Sequence, residues 1–64
     1  MNVQQQIKHV TSWGFKDHGD GYYVRNAPDG YREWWSTTCP EVISFYTETS
    51  EWTHDYVIDW SLFN

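Results

Sequence analysis

The chain has 64 residues, five of them Trp, five Tyr and three Phe, with nine acids against four bases, a single Cys and a formal net charge of −5. This length fits one small domain, burying roughly 60% of its unfolded surface. One Cys excludes an internal disulfide and a multi-Cys zinc site, and no apolar run approaches the ~18 residues of a transmembrane helix.

The start, Met1 to Gln6, lacks both the basic and the apolar region of a secretory signal. A composition rich in aromatic and β-branched residues argues against disorder. Together these features point to a folded cytoplasmic protein. Aliphatic residues are few, so aromatics are expected to form most of the core. Each can bury about 150–250 Å². A two-layer domain this small cannot hide them all, and the surplus marks contact surfaces.

Val3, Ile7, Val10 and Trp13 fall at i, i+4, i+7 and i+10 and predict a helix over about residues 2–13. Gly14 stands where a left-handed residue would end it, with Val10 and Phe15 as the apolar pair of a Schellman motif. Gly19-Asp20-Gly21 reads as a turn. It precedes tyrosines rather than a Lys-bearing helix, so it is not a phosphate loop. Tyr22 to Asn26 reads as a strand. Ala27-Pro28-Asp29-Gly30 follows as a tight hairpin loop with a Gly bulge, and Tyr31 to Ser36 returns. Glu33 and Trp35 share one face of that strand, Arg32, Trp34 and Ser36 the other.

Glu41 to Glu48 is β-branched and aromatic, and predicts a further strand. His54 to Leu62 alternates, with Tyr56, Ile58, Trp60 and Leu62 facing one way and Asp55, Val57, Asp59 and Ser61 the other; if the first set faces the core, the acids point to solvent. Two helical alternatives remain open: Pro40 as a first helical residue, and a stripe of Trp52, Tyr56, Trp60 and Phe63. The fold expected is α+β: residues 1–14 a short helix and its cap, packed on a four-stranded antiparallel meander over 15–64, with all-β as the alternative.

No catalytic signature is present, and the chain is not read as an enzyme. His9, His18 and His54 lack the helical spacing that gathers metal ligands, so neither metal nor cofactor is expected. Cys39 would need a helix N-terminus or a base to become a nucleophile. Asp55 and Asp59, about 13 Å apart on an extended strand at ~3.3 Å per residue, are too distant for a hydrolytic dyad.

Charge segregation is the more informative signal. Residues 1–32 hold all four bases and three acids; residues 33–64 hold six acids and no Lys or Arg. An uncompensated negative field steers a protein towards positive surfaces. Glu33, Glu41, Glu48, Glu51, Asp55 and Asp59, with Trp52 as an aromatic anchor, are therefore the candidate partner-binding residues. The partner implied is a basic protein whose nucleic-acid-binding surface the carboxylates would cover. A direct nucleic-acid contact is disfavoured, because four bases neutralise few phosphates. The short, acidic, aromatic-rich, cysteine-poor character is similar in composition to small accessory proteins of bacteriophages and mobile elements. These include inhibitors of host nucleases, CRISPR effectors and polymerases, which would act in the host cytoplasm. Two other readings stay open. One is an aromatic platform of Tyr22, Tyr23, Tyr31 and Trp34, with Trp35 beside it, for a single strand or a carbohydrate. The other is a structural homodimer.

Overall fold

In the computed structural model, which describes residues 1–63, the chain opens with a capped helix, α1 (Val3–Ser12). The Asn2 side chain accepts from the Gln5 N–H, and the Gln5 side chain accepts from the Asn2 N–H, a capping box. At the other end Gly14 has φ +98°. Its N–H bonds the Thr11 carbonyl, and that of Phe15 bonds the Val10 carbonyl. These are the two bonds of a Schellman motif, closed by the buried pair Val10 and Phe15.

Five strands follow as an antiparallel meander: β1 (Lys16–Gly19), β2 (Tyr22–Asn26), β3 (Arg32–Ser36), β4 (Cys39–Tyr46) and β5 (Trp52–Val57). The sequence pattern anticipates four. The fifth, β1, has no apolar side chain to set a period, and forms because β2 offers it a free edge. Asp20 and Gly21, both at positive φ, make the two-residue turn between them. The last alternating segment also ends early. The strand stops at Val57, and Trp60–Phe63 is a 3₁₀ turn.

One sheet face is covered by α1 and the 3₁₀ turn. The core there is Val10, Phe15, Trp35, Ile43, Ile58 and Trp60, with Ile7, Trp13, Tyr23, Phe45 and Phe63 packed around it. Pro40 sits where the β3–β4 register shifts, a position that tolerates its missing N–H. Its carbonyl accepts from both buried indoles, Trp35 Nε1 at 2.9 Å and Trp60 Nε1 at 2.6 Å. Trp13 and Trp60 stack with centroids 5.8 Å apart and planes 9° from parallel. This joins the helix end to the chain beyond β5.

Two hairpin loops share one design. In the first, Ala27 N–H bonds the Tyr31 carbonyl and Gly30 N–H bonds the Ala27 carbonyl; in the second, Thr47 bonds Glu51 and Ser50 bonds Thr47 in the same way. The equivalent left-handed positions hold Gly30 at φ +89° and Ser50 at φ +66°. Gly30→Val is expected to cost about 1–3 kcal/mol. The added Cβ would fall 2.9 Å from Glu48 Oε1, the movable end of a side chain, so backbone strain dominates that cost. Ser50→Gly is expected to stabilise by about 0.5–1 kcal/mol, because only a side chain makes this conformation unfavourable. Urea midpoints of the two variants should move in opposite directions.

Candidate functional site

Strand alternation divides the side chains of β2 to β5 between two faces. Tyr23, Arg25, Glu33, Trp35, Ile43 and Phe45 face the core side. Tyr22, Val24, Trp34, Ser44, Tyr46 and Asp55 lie on the opposite, open side, following the cross-strand rows Tyr22–Ser36, Val24–Trp34–Ser44–Asp55 and Arg32–Tyr46–Trp52.

On the open side Trp34 receives the His18 ring edge-on at 4.8 Å and that of Tyr22 at 6.0 Å. Small Ser44 stands between Trp34 and Asp55 in its row. It leaves a shallow depression of about 540 Å³ walled by Tyr22, Trp34, Val42, Tyr46 and Asp55. Asp55 Oδ1 accepts from Trp52 Nε1 at 2.9 Å. That bond, then one from Ser44, holds the Asp55 carboxyl below its ordinary value. A lowered folded-state pKa gives stability present above the ordinary value near 3.8, lost as pH falls through the lower folded value. At neutral pH this carboxylate is charged.

The acids expected to meet a partner separate into two groups. Glu33 is corrected: it is only 4% exposed, on the core face. Arg25 Nε donates to its Oε1 at 2.7 Å and Nη2 to its Oε2 at 2.8 Å, while Nη1 donates to the Trp13 carbonyl at 2.6 Å. The guanidinium also lies 4.9 Å from the Phe15 ring centroid. Glu33 thus has a base from the other half of the chain and faces no partner.

Glu41, Glu48, Glu51, Asp55 and Asp59 are all exposed. Glu48 and Glu51 belong to the loop entering β5, Asp55 to its middle, and Asp59 follows it. Glu41 joins the far end, since its carbonyl accepts the Ile58 N–H at 2.7 Å. Carboxylates therefore accompany β5 from end to end. Asp55 and Asp59 do not share one strand, because β5 ends between them; Asp59 instead caps the 3₁₀ turn, accepting the Ser61 N–H at 3.1 Å.

The same segment carries the most exposed apolar side chains. Trp52 is 59% exposed, Tyr56 60%, Val57 70% and Leu62 79%. Tyr56 and Leu62 were expected in the core by alternation. Tyr56 pairs with core-side Ile43 but stands on the outermost strand and stays exposed, while the turn after β5 buries Ile58 and Trp60 and leaves Leu62 outside.

The aromatic-platform residues are divided. Tyr22 and Trp34 meet on the open face. Tyr23 packs on Trp35 at 5.6 Å on the other face, Trp35 is buried, and Tyr31 ends the hairpin loop. Cys39 is exposed at the start of β4, and Pro40 continues that strand rather than opening a helix. The histidines each meet aromatic rings: His9 those of Trp13, Trp60 and Phe63, His18 that of Trp34, and His54 that of Phe45 at 4.5 Å. Among the described residues no group of three His, Cys, Asp or Glu side chains converges, and no helix is long and apolar enough to cross a membrane. Comparison of the chain with protein-family models, with curated proteins and with solved structures finds no match.

Proposed function

We propose that this protein is a binding module rather than an enzyme, and that it docks through β5 and its flanking acids onto a basic surface of another protein. The observation that carries this reading is the coincidence along 51–62 of exposed apolar side chains with acids that have no Lys or Arg in their half of the chain. Exposed aromatics supply the anchors and the carboxylates supply steering. A surface built for nucleic acid is a natural recipient, since carboxylates then stand where phosphates would lie. By its composition, the protein is a candidate inhibitor of a host nuclease, CRISPR effector or polymerase, encoded by a bacteriophage or mobile element.

The test is capture from a bacterial lysate by the immobilised protein and by its Glu51→Lys/Asp55→Lys variant. The variant should still fold, since both positions are exposed, although Asp55→Lys gives up the bonds from Trp52 and Ser44. Basic nucleic-acid-binding proteins should be retained by the wild type, released by salt and lost from the variant. Equal retention by the variant would defeat the proposal. A second reading has one observation in its favour. Lys16 and Arg32 share the open face with Tyr22 and Trp34, which suits a stacked single strand. Binding of an oligothymidylate that Trp34→Ala abolishes would select it.

A further inference from the structure

We propose that the unpaired edge of β5 receives an extended, Lys- or Arg-bearing segment of the partner protein as a sixth strand. This deepens the protein-binding reading and rests on it.

The sheet has two edges, and they are guarded unequally. Edge strands are commonly blunted by shortness, Lys, polar side chains or a bulge. The outer strand β1 has all four: four residues, Lys16 at its start, no apolar side chain, and a register break between Asp17 and Gly19. The other edge, β5, has its register break at its first residues, and His54 to Val57 then run regularly against β4. The Ile58 N–H donates to Glu41. Antiparallel alternation therefore turns the main chains of His54 and Tyr56 towards β4 and those of Asp55 and Val57 outward. Their N–H and C=O groups form a template for an added strand.

Charge selects the occupant. A second copy paired antiparallel about Asp55 would set the two Asp55 carboxylates opposite each other and bring Glu51 of each copy near Asp59 of the other, and like charges across a strand pair are destabilising. A basic strand meets the same carboxylates favourably, with a cation beside Asp55 on the open face. On the other face its alternate side chains reach a groove of about 480 Å³ walled mainly by apolar side chains such as Trp13, Tyr56, Leu62 and Phe63, with the Arg25–Glu33 pair and Asp59 also in its lining. The segment that fits thus alternates basic and apolar residues.

The probe is a capped hexapeptide of alternating Lys and Val, followed by amide NMR on the intact protein. Binding should slow hydrogen exchange at Asp55 and Val57. Methylating alternate amides of the peptide, or replacing Val57 by Pro, should weaken binding about tenfold or more, since outward main-chain bonds are lost. Val57→Pro keeps the β4 ladder, because its N–H points away from β4, and Tyr56 before it is already extended. Should that variant unfold, the methylated peptide on the wild-type protein gives the same answer. A Glu–Val peptide should not bind.

Binding that is indifferent to both Val57→Pro and amide methylation would overturn strand addition while leaving the basic-partner reading intact. Binding lost with Val57→Pro but unaffected by Glu51→Lys/Asp55→Lys would overturn the basic occupant. A dimer in sedimentation that Val57→Pro dissociates would assign the edge to a second copy. No binding at millimolar peptide, or shifts confined to Tyr22 and Trp34, would overturn the proposal.

Discussion

Replacing Arg25 by alanine is expected to lower stability by about 3–5 kcal/mol, because it strands a buried carboxylate. A domain of this length holds roughly 3–10 kcal/mol in total, so the variant should lose about a third of its stability or more. The two partners are not equivalent. The Glu33 side chain is 6% exposed and that of Arg25 36%. Glu33→Ala leaves a guanidinium that still reaches the Trp13 carbonyl, the Phe15 ring and solvent, and should cost only about 1–3 kcal/mol. Arg25→Lys should not rescue, since an ammonium cannot make the bidentate contact and the Trp13 bond together. Urea unfolding of the three variants checks the order. An Arg25→Ala midpoint equal to the wild-type value would mean that the pair does not anchor the core face.

Trp60→Ala is the second large loss, about 3–5 kcal/mol for emptying a buried indole site. Trp60→Phe should cost less, about 1–2 kcal/mol, because a ring remains and the Pro40 carbonyl keeps its bond from Trp35. The stacked Trp13–Trp60 pair also gives a direct optical readout. Indoles 5.8 Å apart couple in circular dichroism through the skew of their transition dipoles; Trp13→Phe should remove the contribution of this pair, and Trp60→Phe that of the Trp35–Trp60 pair as well. Leu62→Ala, at an exposed position of the same turn, should change neither signal nor stability.

These two sites mark where the sequence was readable and where it was not. The first hairpin was legible because Pro, Asp and Gly each restrict the backbone in a way that names the turn. The same turn held the clue to Glu33. A loop that pairs Ala27 with Tyr31 places Arg25 directly opposite Glu33. An acid is ordinarily a surface residue, and composition alone kept it there. The helix end at Gly14 was legible for the same reason as the hairpin. Lys16 to Gly19 was illegible because its strand character comes from β2, not from its own side chains. Beyond Val57 the alternation of apolar residues persists while the backbone leaves the sheet. Period alone therefore assigned Tyr56, Ile58, Trp60 and Leu62 to one face, although only Ile58 and Trp60 return to the core. The exposure of Glu51 and Asp55 was legible because no Lys or Arg in their half of the chain could pair with them, whereas that of Trp52 and the free edge beside it needed the sheet order.

The contact between Trp13 and Trp60 has a consequence for the order of folding. Every strand pairs with its neighbour in sequence, so the sheet assembles through short-range closures that carry little entropic cost. The indole stack, with the contacts of His9 to Trp60 and Phe63, joins positions far apart along the chain, and its loop-closure cost falls once the hairpins have shortened the path. Clasping is then a late event. During synthesis the strands can pair beneath α1 while the part of the core face that the 3₁₀ turn closes still lacks its cover. Mutations at the clasp should accordingly raise the unfolding rate and leave the folding rate nearly unchanged.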